Sequence, residues 1–190
     1  MKVIKLGGSL MKDSAVLIDC LDTIKQKYTD KIVLVPGGGV FADQVRSVQQ
    51  QWGFNDQIAH QMALISMHQM ALLFKSIQKS FVLASYISDV QQELSKHSVV
   101  IWMPDLEELN AFGIEASWDI SSDSLAAWMA EQLAATELIL VKSAEIPLKL
   151  DIRQMQELKI LDQAFNKYSN NASYKITLIN KYRFNEYPLI

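Results

Sequence analysis

Three short stretches hold the residue types that handle anionic oxygen. The first is Lys5-Leu6-Gly7-Gly8-Ser9-Leu10. Glycines present backbone N–H groups without side-chain obstruction, and such groups cradle phosphate oxygens. Lys5 places a point charge beside the same oxygens. The second is Val35-Pro36-Gly37-Gly38-Gly39-Val40-Phe41-Ala42-Asp43, where an apolar strand feeds a glycine loop that opens a helix. A helix N-terminus carries about half a positive charge and is a ready anion site. Two such loops side by side suit a reaction in which two phosphate-bearing molecules meet. The third is Ser117-Trp118-Asp119-Ile120-Ser121-Ser122-Asp123-Ser124. Serine and aspartate at a helix start ordinarily cap it. A buried carboxylate there could also hold a lysine charged and correctly aimed.

Neither glycine loop is followed by Gly-Lys-Ser/Thr, so neither is a Walker P-loop. Gly37, Gly39 and Ala42 do fit G-x-G-x-x-A, which requires an acidic residue at the end of the next strand in a dinucleotide-binding fold. Asp56 lies near that distance, but it follows a helix and Gly53 and opens another helix. The dinucleotide reading is therefore disfavoured. Arg46, in the helix after the triple glycine, is an anion candidate with an equal claim to face solvent. His60 stands near the start of a long helix, where it could touch an acceptor phosphate. His68 is eight residues further on, too far to share a metal with it, and the nearby methionines read as core. Lys142 ends an apolar strand; a lysine there is usually solvated, or it supplies a second phosphate-facing charge.

These residues need elements to position them. Apolar runs predict strands at 2–6, 31–35, 99–103, 137–141 and 174–179, with a weaker one at 81–83. Helical spacing predicts helices over 14–27, 40–51 and 55–79, a short one after Pro104-Asp105, and one from Ser122 or Asp123 to Leu133. Two more are expected at 152–158 and 161–168, with 167–173 as the candidate flexible loop. Strands alternating with helices predict an α/β fold whose mainly parallel sheet is covered on both faces. Ligands gather at the carboxyl ends of such strands, where both glycine loops fall. A single domain over 1–190 is expected, with no repeat or linker.

Composition sets the outer bounds. The 190 residues are 49% hydrophobic and 21% charged, with a formal net charge of −3 and a pI near 5.6. This excludes disorder as the main state and argues against a nucleic-acid partner. One cysteine, Cys20, excludes an internal disulfide and a cysteine-based zinc site. No apolar run reaches membrane-spanning length, and the N-terminus reads as a strand and not as a signal peptide. A cytoplasmic protein without membrane contact is expected.

Lys-Leu-Gly-Gly-Ser-Leu at 5–10, Pro-Gly-Gly-Gly at 36–39 and Ser-Ser-Asp-Ser-Leu-Ala-Ala at 121–127 stand in the order seen in amino acid kinases, and the chain resembles that family over most of residues 1–141. Trp118, Phe41-Ala42, Arg46 and the stretch around His60 are similar to its small branch from methanofuran biosynthesis, which phosphorylates an aminomethyl-furanmethanol phosphate. The resemblance implies a three-layer α/β/α sandwich and phosphoryl transfer from ATP, with Mg2+, to a small phosphorylated or carboxylated acceptor. It implies that Lys5 contacts the transferred group and Asp123 organises Lys5. Gly7, Gly8 and Ser9 would bind ATP phosphates, with Lys142 as a further phosphate-facing charge. Gly37, Gly38 and Gly39 would hold the acceptor's anion, with Arg46 and His60 beside it. No protein-held metal site is expected, and a homo-oligomer is. The chain departs from the family at Lys142-Ser-Ala-Glu-Ile-Pro147, where a Thr-Asp-Val-Asp-Gly loop is usual, and at Ile179-Asn-Lys181 in place of Val-Asn-Gly. That departure supports an alternative, a non-catalytic nucleotide-binding subunit of the same fold.

Overall fold

A computed structural model of the chain describes residues 1–27, 29–147 and 151–187. Six strands form one all-parallel sheet: β1 (Lys2–Leu6), β2 (Ile32–Pro36), β3 (Val82–Ala84), β4 (Val99–Trp102), β5 (Glu137–Lys142) and β6 (Lys175–Asn180), in the order β3-β4-β2-β1-β5-β6. Among the described residues eight α-helices connect and cover them: α1 (Ser14–Lys27), α2 (Gly39–Trp52), α3 (Asp56–Ile77), α4 (Ile87–Lys96), α5 (Leu106–Ala111), α6 (Ser122–Gln132), α7 (Ile152–Glu157) and α8 (Phe165–Ser169).

The central strands β1, β2 and β4 are buried along their whole length. That is why they read as continuous apolar runs without alternation. Their period of two still divides the core. Val3, Val33, Val35, Val100, Leu138 and Leu140 face α4, α6, α7 and α8. Ile4, Leu6, Leu34, Ile101, Ile139 and Val141 face α1 and the C-terminal half of α3. The expected sandwich with two covered faces is thus present. Lys5 shares the parity of Val3, and Lys142 that of Leu140, so both lysines project toward the α6 side at the carboxyl edge.

The elements match expectation where the local signal is strong. Gly53 ends α2 in a left-handed conformation with φ 69°, and the Asn55 side chain caps α3 by accepting from the Ile58 N–H at 3.0 Å. They differ where tertiary contacts intervene. The helix expected over 161–168 begins only at Phe165, because Leu161 to Gln163 are held as a loop. There the Gln156 amide donates to the carbonyls of Asp162 (3.0 Å) and Gln163 (2.7 Å). Residues 167–169, expected in a flexible loop, close α8, with Ser169 buried. Helix α4 was not anticipated between β3 and β4.

The two glycine loops meet. A β-carbon on Gly8 would lie 2.1 Å from the Gly39 nitrogen, and one on Gly37 only 2.4 Å from the Gly8 nitrogen. Backbone thus packs on backbone, which no side chain tolerates. Gly53 has open space around it and needs glycine only for its positive φ. Gly8→Ala is therefore expected to destabilise by about 2–3 kcal/mol through overpacking, and Gly53→Ala by about 1 kcal/mol through backbone strain. Denaturant melts of both variants check the order; equal costs would contradict the close approach.

Candidate active site

A cavity of about 550 Å³ opens at the carboxyl edge of the sheet. Its floor is made by Lys5, Gly8, Ser9, Gly37, Gly38, Gly39, Asp123 and Lys142. Sheet order arranges its flanks. On the β2 side stand Asp43 and Arg46 of α2, His60 of α3 and Trp118; on the β5 side stands the segment Lys159–Gln163.

The centre of the floor is one carboxylate shared by two lysines. Lys5 Nζ lies 2.8 Å from Asp123 Oδ1, and Lys142 Nζ donates to Asp123 Oδ2. Lys5 and Asp123 are almost wholly buried, at 5% and 3% exposure. Burial alone would raise the Asp123 pKa, but the two ammonium groups overcome it and hold the carboxyl below its usual range. Lys142 is pulled down to about 8 by burial and by the neighbouring Lys5 charge, against the pull of Asp123. Asp123 can face the floor because Ser121 takes the N-cap: its Oγ accepts from the Asp123 N–H at 3.2 Å.

Beside this centre, the Ser9 hydroxyl meets that of Ser143 at 2.8 Å, tying the first glycine loop to the end of β5. Gly8, Gly38 and Gly39 line the cavity. Gly39 is the first residue of α2, so the orphan N–H groups of that helix point there. Two expected binding glycines have their N–H groups engaged elsewhere. Gly7 donates to Val141 O (3.0 Å) and does not line the cavity, while Gly37 donates to Leu6 O (2.9 Å). Both serve to shape the loops.

The β2 flank is an organised wall. The Arg46 guanidinium lies 4.4 Å from the Trp118 ring centroid. Trp118 Nε1 donates to Gln49 Oε1 at 2.6 Å, and Gln49 Nε2 donates to Asp56 Oδ1 at 2.8 Å. Asp56 therefore braces a side-chain relay at the start of α3, and no strand lies between α2 and α3, which removes the dinucleotide reading. His60 is buried, its Nε2 has no hydrogen-bond partner among the described residues, and burial lowers its pKa, so the ring is neutral near pH 7. Sequence reasoning did not single out Gln49, Lys159 or Asp162. Each is a lone polar residue outside any motif, and only the local turn signal of Asp162 could have drawn attention to it.

The profile of the amino acid kinase family matches residues 1–145. The chain belongs to the amino acid kinase family. It is 29% identical over 146 residues to [5-(aminomethyl)furan-3-yl]methyl phosphate kinase of Methanocaldococcus jannaschii, a match covering 76% of this chain and 67% of that one. Its fold is similar to uridylate kinase from Archaeoglobus fulgidus, with a TM-score of 0.74 at 18% identity over 95% of this chain and 91% of that one. It is also similar to an isopentenyl phosphate kinase, with a TM-score of 0.68 at 15% identity over 100% and 96% of the two chains. In this amino acid kinase fold the three motifs read from the sequence occupy one cavity.

Sharing of Asp123 has an energetic consequence. Asp123→Ala leaves two buried ammonium groups facing each other and is expected to cost about 3–5 kcal/mol. Lys5→Ala leaves Asp123 paired with Lys142 and is expected to cost less. Urea unfolding of the two variants measures the difference, and equal losses would show that the carboxylate is not shared.

Proposed function

We propose that the protein transfers the γ-phosphoryl group of ATP to a phosphate oxygen of a small phosphorylated acceptor, with [5-(aminomethyl)furan-3-yl]methyl phosphate as the best single candidate. One observation carries this reading: two lysines and their shared carboxylate lie at the meeting point of two glycine loops. The substrate is proposed from the Methanocaldococcus jannaschii relative. The β2 flank, with its indole and neutral imidazole, suits a ring-bearing acceptor.

An acceptor phosphate oxygen is already anionic, so attack on the γ-phosphorus requires no general base. The new P–O bond forms as the bond to the β–γ bridging oxygen breaks, and ADP leaves with that electron pair. Such transfer is governed by alignment and charge neutralisation. Lys5 neutralises the phosphoryl group in flight, and Lys142 offsets charge on the donor side. Asp123, engaged by both lysines, aims them and is unsuited to take a proton. Gly8, Ser9, Gly38 and Gly39 hold phosphate oxygens through the loops, and Arg46 and His60 contact the acceptor. Among the described residues no cluster of three or more His, Cys, Asp or Glu could hold a metal. The proposed Mg2+ would accompany the ATP phosphates and offset their charge, and no step here is assigned to it.

The non-catalytic alternative is not favoured, since the chain retains Lys5, Asp123 and Lys142 together despite its altered 142–147 loop. Purified protein supplied with ATP, Mg2+ and a panel of the furan phosphate, UMP and isopentenyl phosphate should release ADP with the furan phosphate. ATP binding without ADP release on any acceptor would restore the alternative. Lys5→Ala should unfold cooperatively yet turn over at least about a hundredfold more slowly. Because Lys142 must be protonated and its pKa is about 8, the rate should fall as pH rises through that value.

A homo-oligomer is part of the same proposal. Ile58, Ile65 and Leu72 are exposed at seven-residue steps along α3, and no charged residue stands between Asp56 and Lys75. Sedimentation of the wild type against Ile65→Lys tests this: the variant should lose mass to a monomer.

A further inference from the structure

Asp162 lies outside every motif, yet it makes the densest set of side-chain hydrogen bonds near the cavity. Its Oδ2 accepts from the Ser121 N–H (2.9 Å), the Ser121 hydroxyl (2.7 Å) and the Ser124 N–H (3.0 Å), and its Oδ1 accepts from the Ser124 hydroxyl. These donors bracket Asp123 on both sides in the first turn of α6. A carboxylate at a helix N-terminus also complements the dipole. The backbone of Asp162 is fixed in turn. Its carbonyl accepts from Gln156 of α7, and the Ala164 N–H donates to Asp119 O at 3.0 Å. The clamp thus ties the α7–α8 connection to the turn that carries the shared carboxylate.

We propose that Asp162 is a positioning residue: its carboxylate grips the first turn of α6, sets Asp123 between Lys5 and Lys142, and balances the charge of the two buried lysines. The proposal rests on the phosphoryl-transfer reading above. Burial and the Asp123 charge raise the Asp162 pKa, while the hydrogen bonds from Ser124 and Ser121 favour its ionised form; ionised, it sets two carboxylates against the two lysines of the floor. Without Asp162 the turn would be freed and the floor would carry one uncompensated positive charge. The charges that act on Lys142 are Lys5 of β1, Asp123 of α6, which it bonds, and Asp162; Lys159 and His60 line the same cavity. Removing the Asp162 charge should therefore make Lys142 give up its proton more readily.

The test measures Lys142 directly, whether or not the protein turns over. Acetic anhydride labelling of the full chain across a pH series, read residue by residue by mass spectrometry, gives the midpoint for Lys142. The wild type is expected to titrate near 8. Asp162→Asn should titrate at least about half a pH unit lower, and Ser124→Ala, which loosens the clamp but keeps the charge, should fall between the two. Should Asp162→Asn fail to fold, Ser124→Ala carries the comparison alone. In steady-state kinetics with ATP and the furan phosphate, Asp162→Asn should lower kcat about tenfold without raising KM for ATP, and the basic limb of its pH profile should move with the label midpoint. Wild-type midpoints in every folded variant would overturn the proposal. A shifted midpoint in a protein that releases no ADP on any acceptor would keep the clamp and overturn the kinase reading instead.

Discussion

A buried carboxylate with two ammonium partners is the constraint on which the rest of the site depends. Each charge would be costly to bury alone, and the penalty for leaving one unpaired exceeds what a good pair contributes. Asp123 is therefore required by both lysines, whereas loss of one lysine leaves it paired with the other. The pairing also keeps the lysine heads at the floor of the cavity, where they would otherwise swing toward solvent. In the proposed transfer that restraint is preorganisation, with the charges held in place before phosphate arrives.

The sheet supplies the geometry for this pairing. Parallel strands end together at one edge, and parity sends Lys5 and Lys142 to the same face. Helix α6 crosses that face with Asp123 in its first turn. The glycine loops extend the adjacent strands β1 and β2, so strand pairing brings them together, and their lack of side chains lets the two backbones touch. The same contact accounts for Gly7 and Gly37, whose N–H groups bond to neighbouring strands and hold the turns in place.

The flanks of the cavity differ in character. On the β2 side, Arg46, Trp118, Gln49 and Asp56 form a relay joining α2, the 117–121 turn and the start of α3. On the β5 side the 159–163 segment lines the cavity, next to a strand end that lacks the family's usual acidic loop. The wall there is built from later sequence than the family pattern suggested, and Gln156 braces it from α7. Family membership and this substituted wall are thus compatible: β1, α6 and β5 supply Lys5, Asp123 and Lys142 of the floor, and Asp162 of the flank bonds to the turn that carries Asp123.

Much of this was legible in the residues alone. Apolar runs, their alternation with helical spacing, and the glycine clusters after strands 2–6 and 31–35 determined a parallel α/β sheet with an anion-binding edge, because strand and helix periods are local properties of the chain. Lys5 stood out by its glycine loop, whereas Asp123 and Lys142 read by type alone as a helix cap and a solvated strand end and entered the candidate site through the family resemblance. What the sequence could not decide is that one carboxylate serves both lysines, that Arg46 stacks on Trp118, and that Asp162 interrupts an expected helix to clamp α6. Those contacts join residues distant in the chain, as does that of Ser9 with Ser143, 134 positions apart. Such partners have no period and no fixed spacing; they are chosen by which side chains the packed layers bring within hydrogen-bond reach, and only the folded chain settles that.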